Sequence, residues 1–294
     1  MQLLLTFLTA FTIAFFASPA GVSGAFLLLP FQVSVLGITD PSVNATNFLY
    51  NVIAIPSAVY RYWKEERMLW ILALIMIVGY LPGIYVGSLV RTQFLLDTKT
   101  FKLFIGVVLM FLGLNLARSI RAKYVREMDK KVKTFKGVKG FVTLKEVTLK
   151  RVSFDFWEKE FSFNPLGIFA ISLAIGIVGG AYGVGGGALA APLLLSLFKL
   201  PVYAIAGANL LGTFTSSVFG ILSYASLGYL PRFDIGLALG FGGLSGMYCG
   251  ARTQKYLPER LIRLCLTILV FLLSFRYIIQ FFIRPVSYTH LRAH

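Results

Sequence analysis

Seven of the twelve residues from Gly176 to Gly187 are glycine, and apolar sequence flanks the run on both sides, ending at Pro192. Glycine costs about 1 kcal/mol per residue in a helix interior, so a cluster this dense predicts a broken helix. In lipid, a break persists only where protein or a water-filled cavity covers the released backbone groups. Two readings follow. Either a transmembrane segment breaks here to present N–H groups near the bilayer midplane, or the glycines let two helices pack closely.

Composition settles the solvent. The chain is 57% hydrophobic and 14% charged, with a mean hydropathy of +0.78, values that predict a polytopic, all-α membrane protein. The formal charge of +16 lies between apolar runs and reads as a topology signal rather than a nucleic-acid surface. Cys249 and Cys265 fall in apolar segments and are expected to be thiols. His290 and His294 lie in the last five residues, so no histidine-based metal site or catalytic base is expected, and no cofactor. The N-terminal apolar run has no basic residue before it and is not read as a signal peptide. The lipid bilayer is the one certain partner of such a chain, and the plasma membrane of a bacterium or archaeon its expected location.

The chain contains a repeat. Gly21–Pro30 matches Gly183–Pro192, and Asn47 and Asn209 follow their prolines at the same distance. Gly83–Gly87 matches Gly246–Gly250, and Arg91-Thr92-Gln93 matches Arg252-Thr253-Gln254. Four matches in one order predict a tandem duplication. Residues 1–118 form the first transmembrane repeat and 164–284 the second. Between them, 119–163 is a basic loop with twelve Lys or Arg, expected in the cytoplasm; residues 285–294 are a polar tail. Within the loop, Phe141–Phe156 is rich in β-branched and aromatic residues; a solvated loop is the default reading, with a small hairpin or a segment lying on the headgroups as the alternatives. Segments 2–38 and 165–200 exceed the roughly 20 residues of one span, and each carries its glycines near the middle. Each is read as a Gly-broken helical hairpin, followed by three spans. If the hairpins return to their starting side, the repeats are inverted. Eight basic loop residues then lie inside and four outside; parallel repeats reverse those counts. The positive-inside rule selects the inverted arrangement, with both termini outside.

Inverted hairpins bring two helix N-termini together, and such ends present unbonded N–H groups and partial positive charge. They form an anion site without a charged side chain, at the repeat interface where secondary transporters bind substrate. Ser23, Gly24, Asn47, Gly185, Gly186, Gly187, Asn209 and Thr213 are the candidate substrate-binding residues. Thr215, Ser216 and Ser217 lie nearby, with bonding to their own helix backbone as the competing role. For Asn47 and Asn209 the competing role is to brace the break. Tyr85 and Tyr248 are read as packing residues. The Gly run lacks the Gly-Lys-Ser/Thr of a P-loop, and the spans hold no carboxylate pair or Ser-His-Asp set, so the chain is not read as an enzyme.

With Gly183-x-Gly-Gly-Gly-x-x-x-x-Pro192, Ala206-Gly207-Ala208-Asn209-Leu210 and the weaker copy at Gly21–Pro30 and Ala45–Phe48, the chain resembles the TauE/SafE family of membrane proteins. The resemblance implies a transporter of small anions such as sulfite or an organosulfonate like sulfoacetate. The sequence departs from the pattern in its long basic central loop and in Ser23, which stands where the second copy has Gly185. The resulting expectation is a secondary transporter exporting a small sulfur-containing anion. An anion channel and a non-transporting membrane scaffold are the alternatives.

Overall fold

The computed structural model describes residues 2–18, 23–64, 66, 68–121, 142–156, 159–198, 200, 202–253 and 259–283. Gly21, Val22, the first part of the central loop and the polar tail lie outside them. The described chain is mostly helical. Helices α1 (Gln2–Ala17), α2 (Ala25–Ser34), α3 (Ser42–Ala54), α4 (Pro56–Lys64), α5 (Trp70–Gln93) and α6 (Thr98–Arg121) precede a small sheet. Helices α7 (Pro165–Tyr182), α8 (Gly187–Phe198), α9 (Val202–Ser226), α10 (Phe233–Thr253) and α11 (Glu259–Ile283) follow it. Among the described residues, four helical stretches are long and apolar enough to cross a membrane: Trp70–Gln93, Thr98–Arg118, Pro165–Tyr182 and Ala204–Ser226.

Glycine seams set how the helices run. Methyl groups placed on Gly79, Gly83 and Gly87 of α5 would strike Ser172, Gly176 and Gly180 of α7 in that order, so α5 and α7 lie side by side in the same sense. Gly242, Gly246 and Gly250 of α10 meet the carbonyls of Phe7, Phe11 and Phe15 in α1, again in the same sense. Helices α6 and α11 run oppositely: Gly106 lies against Tyr277 and Ile278, and Gly113 against Phe271. So do α3 and α9, where Phe48 packs on Gly220 and Asn51 bonds Ser217. Close packing is thus one real use of the glycines. Tyr85 and Tyr248, between seam glycines, are instead exposed on the outer face. An i, i+2 offset from the seam turns them away from the neighbouring helix.

Where a solvated loop was the default expectation, residues 142–156 and 159–163 form an antiparallel sheet, β1 (Val142–Val147), β2 (Val152–Phe156) and β3 (Lys159–Phe163), with β2 central. Val152, Phe154, Phe156 and Phe163 are buried, which is what alternating aromatic and β-branched residues do on a pleated surface. Lys145 and Arg151 pair with Asp155 and Glu160 on the outer side. The sheet ends at Asn164, whose side chain accepts from the Leu166 and Gly167 N–H groups and, with Pro165 at the first position, starts α7.

Candidate functional site

Helix α7 stops at Tyr182 because Gly183 takes φ +79°, a left-handed turn that only glycine adopts at little cost. Helix α8 starts four residues later at Gly187. In the other half, Gly24, also at φ +79°, precedes α2.

The carbonyl side of the α7–α8 break is bonded by side chains. The Tyr224 hydroxyl donates to Gly180 O (2.8 Å), Asn44 Nδ2 to Ala181 O (2.9 Å), Asn47 Nδ2 to Gly183 O (2.8 Å) and Asn51 Nδ2 to Val184 O (2.9 Å). Asn44, Asn47 and Asn51 are spaced i, i+3, i+7 and so share one face of α3. All three are buried. Asn47 reaches both breaks, since its Nδ2 also donates to Ala25 O of α2 (3.1 Å). The Tyr182 hydroxyl donates across to Phe26 O (2.9 Å), so the two breaks are neighbours.

The N–H side differs. Among the described residues, no acceptor meets the N–H groups of Gly185, Gly186, Gly187 or Ala188; the first bonds of α8 are those of Leu189 and Ala190 to Gly186 O. Close around this segment lie Tyr80, whose hydroxyl is 2.5 Å from where a Gly186 Cβ would stand, and Thr213, Ser216 and Ser217 beside Gly185. Asn209 Nδ2 donates to Gly187 O (3.0 Å). Three buried polar atoms here have no hydrogen-bond partner: Tyr80 Oη, Asn51 Oδ1 and Asn209 Oδ1.

Of the residues singled out from sequence, Gly185, Gly186, Gly187, Asn209 and Thr213 come together at this segment. Thr213 and Ser216 spend their hydroxyls on the α9 backbone, donating to Asn209 O and Thr213 O. Ser23, Gly24 and Asn47 gather at the start of α2, where the Tyr50 hydroxyl donates to Ser23 O. Asn47 is fully engaged there, its Oδ1 accepting from Gln32 Nε2 (3.1 Å).

The sequence reading passed over Asn44, Asn51, Tyr50, Tyr80 and Arg91. Arg91, which the sequence shows only as part of a repeated Arg-Thr-Gln triplet, is completely buried at the end of α5. It donates to Asn44 Oδ1 (3.2 Å), Thr39 O (2.7 Å) and Leu95 O, and stacks 3.6 Å from the Phe101 ring centre. Asn44 in turn holds Ala181 O, so this charge is tied to the break through one side chain. Among the described residues no group of His, Cys, Asp or Glu is arranged to hold a metal ion.

Apolar helices of spanning length, with a discontinuous helix bonded by buried amides packed among them, fit a polytopic membrane protein of the transporter kind. The sequence profile described as "Sulfite exporter TauE/SafE" matches residues 6–277, and the chain belongs to that family. It is similar to the "Probable membrane transporter protein YunE" of Bacillus subtilis (strain 168), at 22% identity over 262 residues, covering 86% of this chain and 89% of that protein. It is also similar to the "Probable membrane transporter protein YdhB" of the same organism, at 28% identity over 116 residues, covering 40% and 47%. No solved structure matches the chain. The chain is thus an integral protein of the bacterial plasma membrane, and the relatives it matches carry the name of probable membrane transporters.

Proposed function

We propose that this chain is a secondary transporter that exports a small sulfur-containing anion, sulfite or an organosulfonate such as sulfoacetate, by alternating access. The anion is held at the N-termini of α2 and α8 near the midplane. One observation carries the reading: side chains bond the carbonyl side of the α7–α8 break, whereas the N–H groups of Gly185–Ala188 meet no acceptor among the described residues. Backbone groups left unbonded inside a membrane protein are costly, and converging N–H groups with the dipole of α8 suit an anion.

In this proposal the repeats are inverted and the Gly breaks make hairpins. The helix senses support it. Parallel repeats would set α6 in the same sense as its counterpart α11, and α3 in the same sense as α9; both pairs run oppositely. A cysteine introduced at position 2 that labelled only from the cytoplasm would reject this topology.

The direct test is thermal stabilisation of the purified protein by sulfite, sulfate, thiosulfate, sulfoacetate, taurine, phosphate and chloride, since a specific ligand stabilises by RT ln(1 + [L]/Kd). A selective shift with one sulfur anion is expected. No shift with any anion at millimolar concentration would remove the half-helix mechanism.

A further inference from the structure

The unpartnered atoms at the start of α8 are of two chemical kinds. The N–H groups of Gly185–Ala188 and the Tyr80 hydroxyl can donate. Asn51 Oδ1 and Asn209 Oδ1 can only accept; their amide nitrogens donate to Val184 O and Ser217 Oγ, and to Gly187 O. These side chains come from three helices, α3, α5 and α9, and all are at least 99% buried. They converge on one four-residue segment: Asn51 grips Val184, Tyr80 covers Gly186 and Asn209 grips Gly187.

A fully deprotonated oxyanion brings only acceptors. It would satisfy the N–H groups but set its oxygens against two buried amide oxygens that themselves lack a donor, and a buried acceptor left unmet costs the whole of its desolvation. A monoanion that carries a hydroxyl meets both kinds: its charged oxygens take the N–H groups and its O–H donates to an amide oxygen.

We infer that the site at the start of α8 selects the singly protonated, hydroxyl-bearing form of an oxyanion over the fully deprotonated form and over aprotic sulfonates. This rests on the anion-site reading above and narrows its substrate from sulfite or an organosulfonate to sulfite. The proton then crosses with its anion, bound at the same oxygen throughout, and needs no protein carboxylate to relay it. That fits the chemistry of the surroundings. Among the described residues, the titratable groups packed around the segment are the phenols of Tyr50, Tyr80, Tyr182 and Tyr224, with Tyr277 behind them, and the Arg91 guanidinium acting through Asn44. None of these ordinarily changes charge between pH 6 and 8, so pH dependence of binding in that range reports the anion.

The experiment uses the full-length wild-type protein in detergent and measures the Kd of sulfite from pH 6 to 8, with methanesulfonate and sulfate as probes lacking a hydroxyl in this range. The expected result is a sulfite affinity that falls with the singly protonated fraction, approaching about tenfold per pH unit above the anion's own acid constant. Methanesulfonate and sulfate should bind at least about tenfold more weakly than sulfite at pH 6. A pH-independent sulfite Kd, or methanesulfonate bound as tightly as sulfite, overturns the selection of a hydroxyl donor while leaving an anion site in place; bound water would then be what meets the two amide oxygens. Failure of all three anions to bind overturns both readings. A Tyr80→Phe protein provides the second measurement: the steepness of the pH dependence should be unchanged, since the accepting atoms belong to Asn51 and Asn209. A flat profile in this variant would overturn their assignment.

Discussion

The starts of α2 and α8 are built on matching sequence yet finished differently. At α2, the Tyr50 hydroxyl is spent on Ser23 O and the Asn47 oxygen is taken by Gln32. At α8, the Tyr80 hydroxyl and the Asn209 oxygen have no partner. The difference traces to single positions. Counted from the paired prolines, Gln32 stands where the second half has Leu194, which cannot donate, and Tyr50 stands where it has Gly212. Gly212 leaves the space that the Tyr80 ring enters from α5, just as Gly243 leaves the space for the ring of Tyr50. Duplicated backbone thus gives two ends that leave different atoms unmet: Ser23 Oγ and Gln32 Oε1 at α2, Tyr80 Oη and Asn209 Oδ1 at α8. Under the proposal above, α8 would supply most of the anion's contacts and α2 would chiefly brace the break.

The sharpest way to break this comparison is to add the same methyl group to both ends. In Gly186→Ala the new Cβ would lie 2.5 Å from the Tyr80 hydroxyl and still closer to its ring. Anion-dependent stabilisation should be lost. In Gly24→Ala the nearest atom is a flexible Ile13 methyl at 3.0 Å, and the burden is the left-handed φ of +79°, worth about 1–2 kcal/mol. That protein should have a lower Tm and an unchanged anion Kd. Loss of binding in both variants would make the ends equivalent.

Next in size is the pair of asparagines. Asn47→Ala strips donors from Ala25 O and Gly183 O and leaves Gln32 Nε2 only its bond to Leu28 O, a loss of about 2–4 kcal/mol from unmet buried groups. Asn209→Ala removes a single bond, to Gly187 O, at about 1 kcal/mol, and should act on anion affinity instead. Thermal melts with and without sulfite separate the two. Equal destabilisation would refute the brace.

The tyrosines give a smaller and cleaner contrast. Tyr50→Phe leaves Ser23 O without its donor and should cost about 1–2 kcal/mol of stability with no change in Kd. Tyr80→Phe removes a buried hydroxyl that has no partner, so the unliganded protein should be as stable or slightly more so, while sulfite binds about tenfold more weakly. A Tyr80→Phe protein with wild-type affinity would take the hydroxyl out of the site.

How much of this was legible before the structure follows from what repeats and what does not. The glycine break, the membrane class and the paired Asn47 and Asn209 were legible because a duplicated pattern shows itself against its own copy. The bracing role shows itself only in three dimensions, where Asn47 bonds Ala25 O and Gly183 O. Asn44 and Asn51 were on the page at helical spacing from Asn47, but the carbonyls they serve lie more than 130 residues away. Tyr50 and Tyr80 were hidden for the opposite reason: each aligns with a glycine, so a search for shared residues discards them. Arg91 resembled a loop charge because nothing local shows that Asn44, Thr39 and Leu95 would surround it.

The weakest expected effect lies at the membrane edge, where Arg232 meets Asp40 at 3.2 Å with both side chains nearly half exposed. The pair joins the loop before α3 to the start of α10, and it has no copy in the other half, where Val202 stands at the position of Asp40. Burial alone would raise the Asp40 carboxyl; bonding from Ser42 and the charge of Arg232 outweigh it and hold the group below its ordinary value. A depressed carboxylate contributes stability that is present above its unfolded pKa and lost as pH falls through the folded one. Exposed pairs of this kind contribute about 0–1 kcal/mol. Asp40→Asn should therefore lower Tm slightly at pH 7 and salt should shrink the difference, with the two melting curves converging as the pH is brought below 4. Because the contact touches neither helix start, sulfite affinity should not move. A change in Kd in Asp40→Asn would mean that the outer loops are coupled to the start of α8, and the division of labour between α2 and α8 would have to include them.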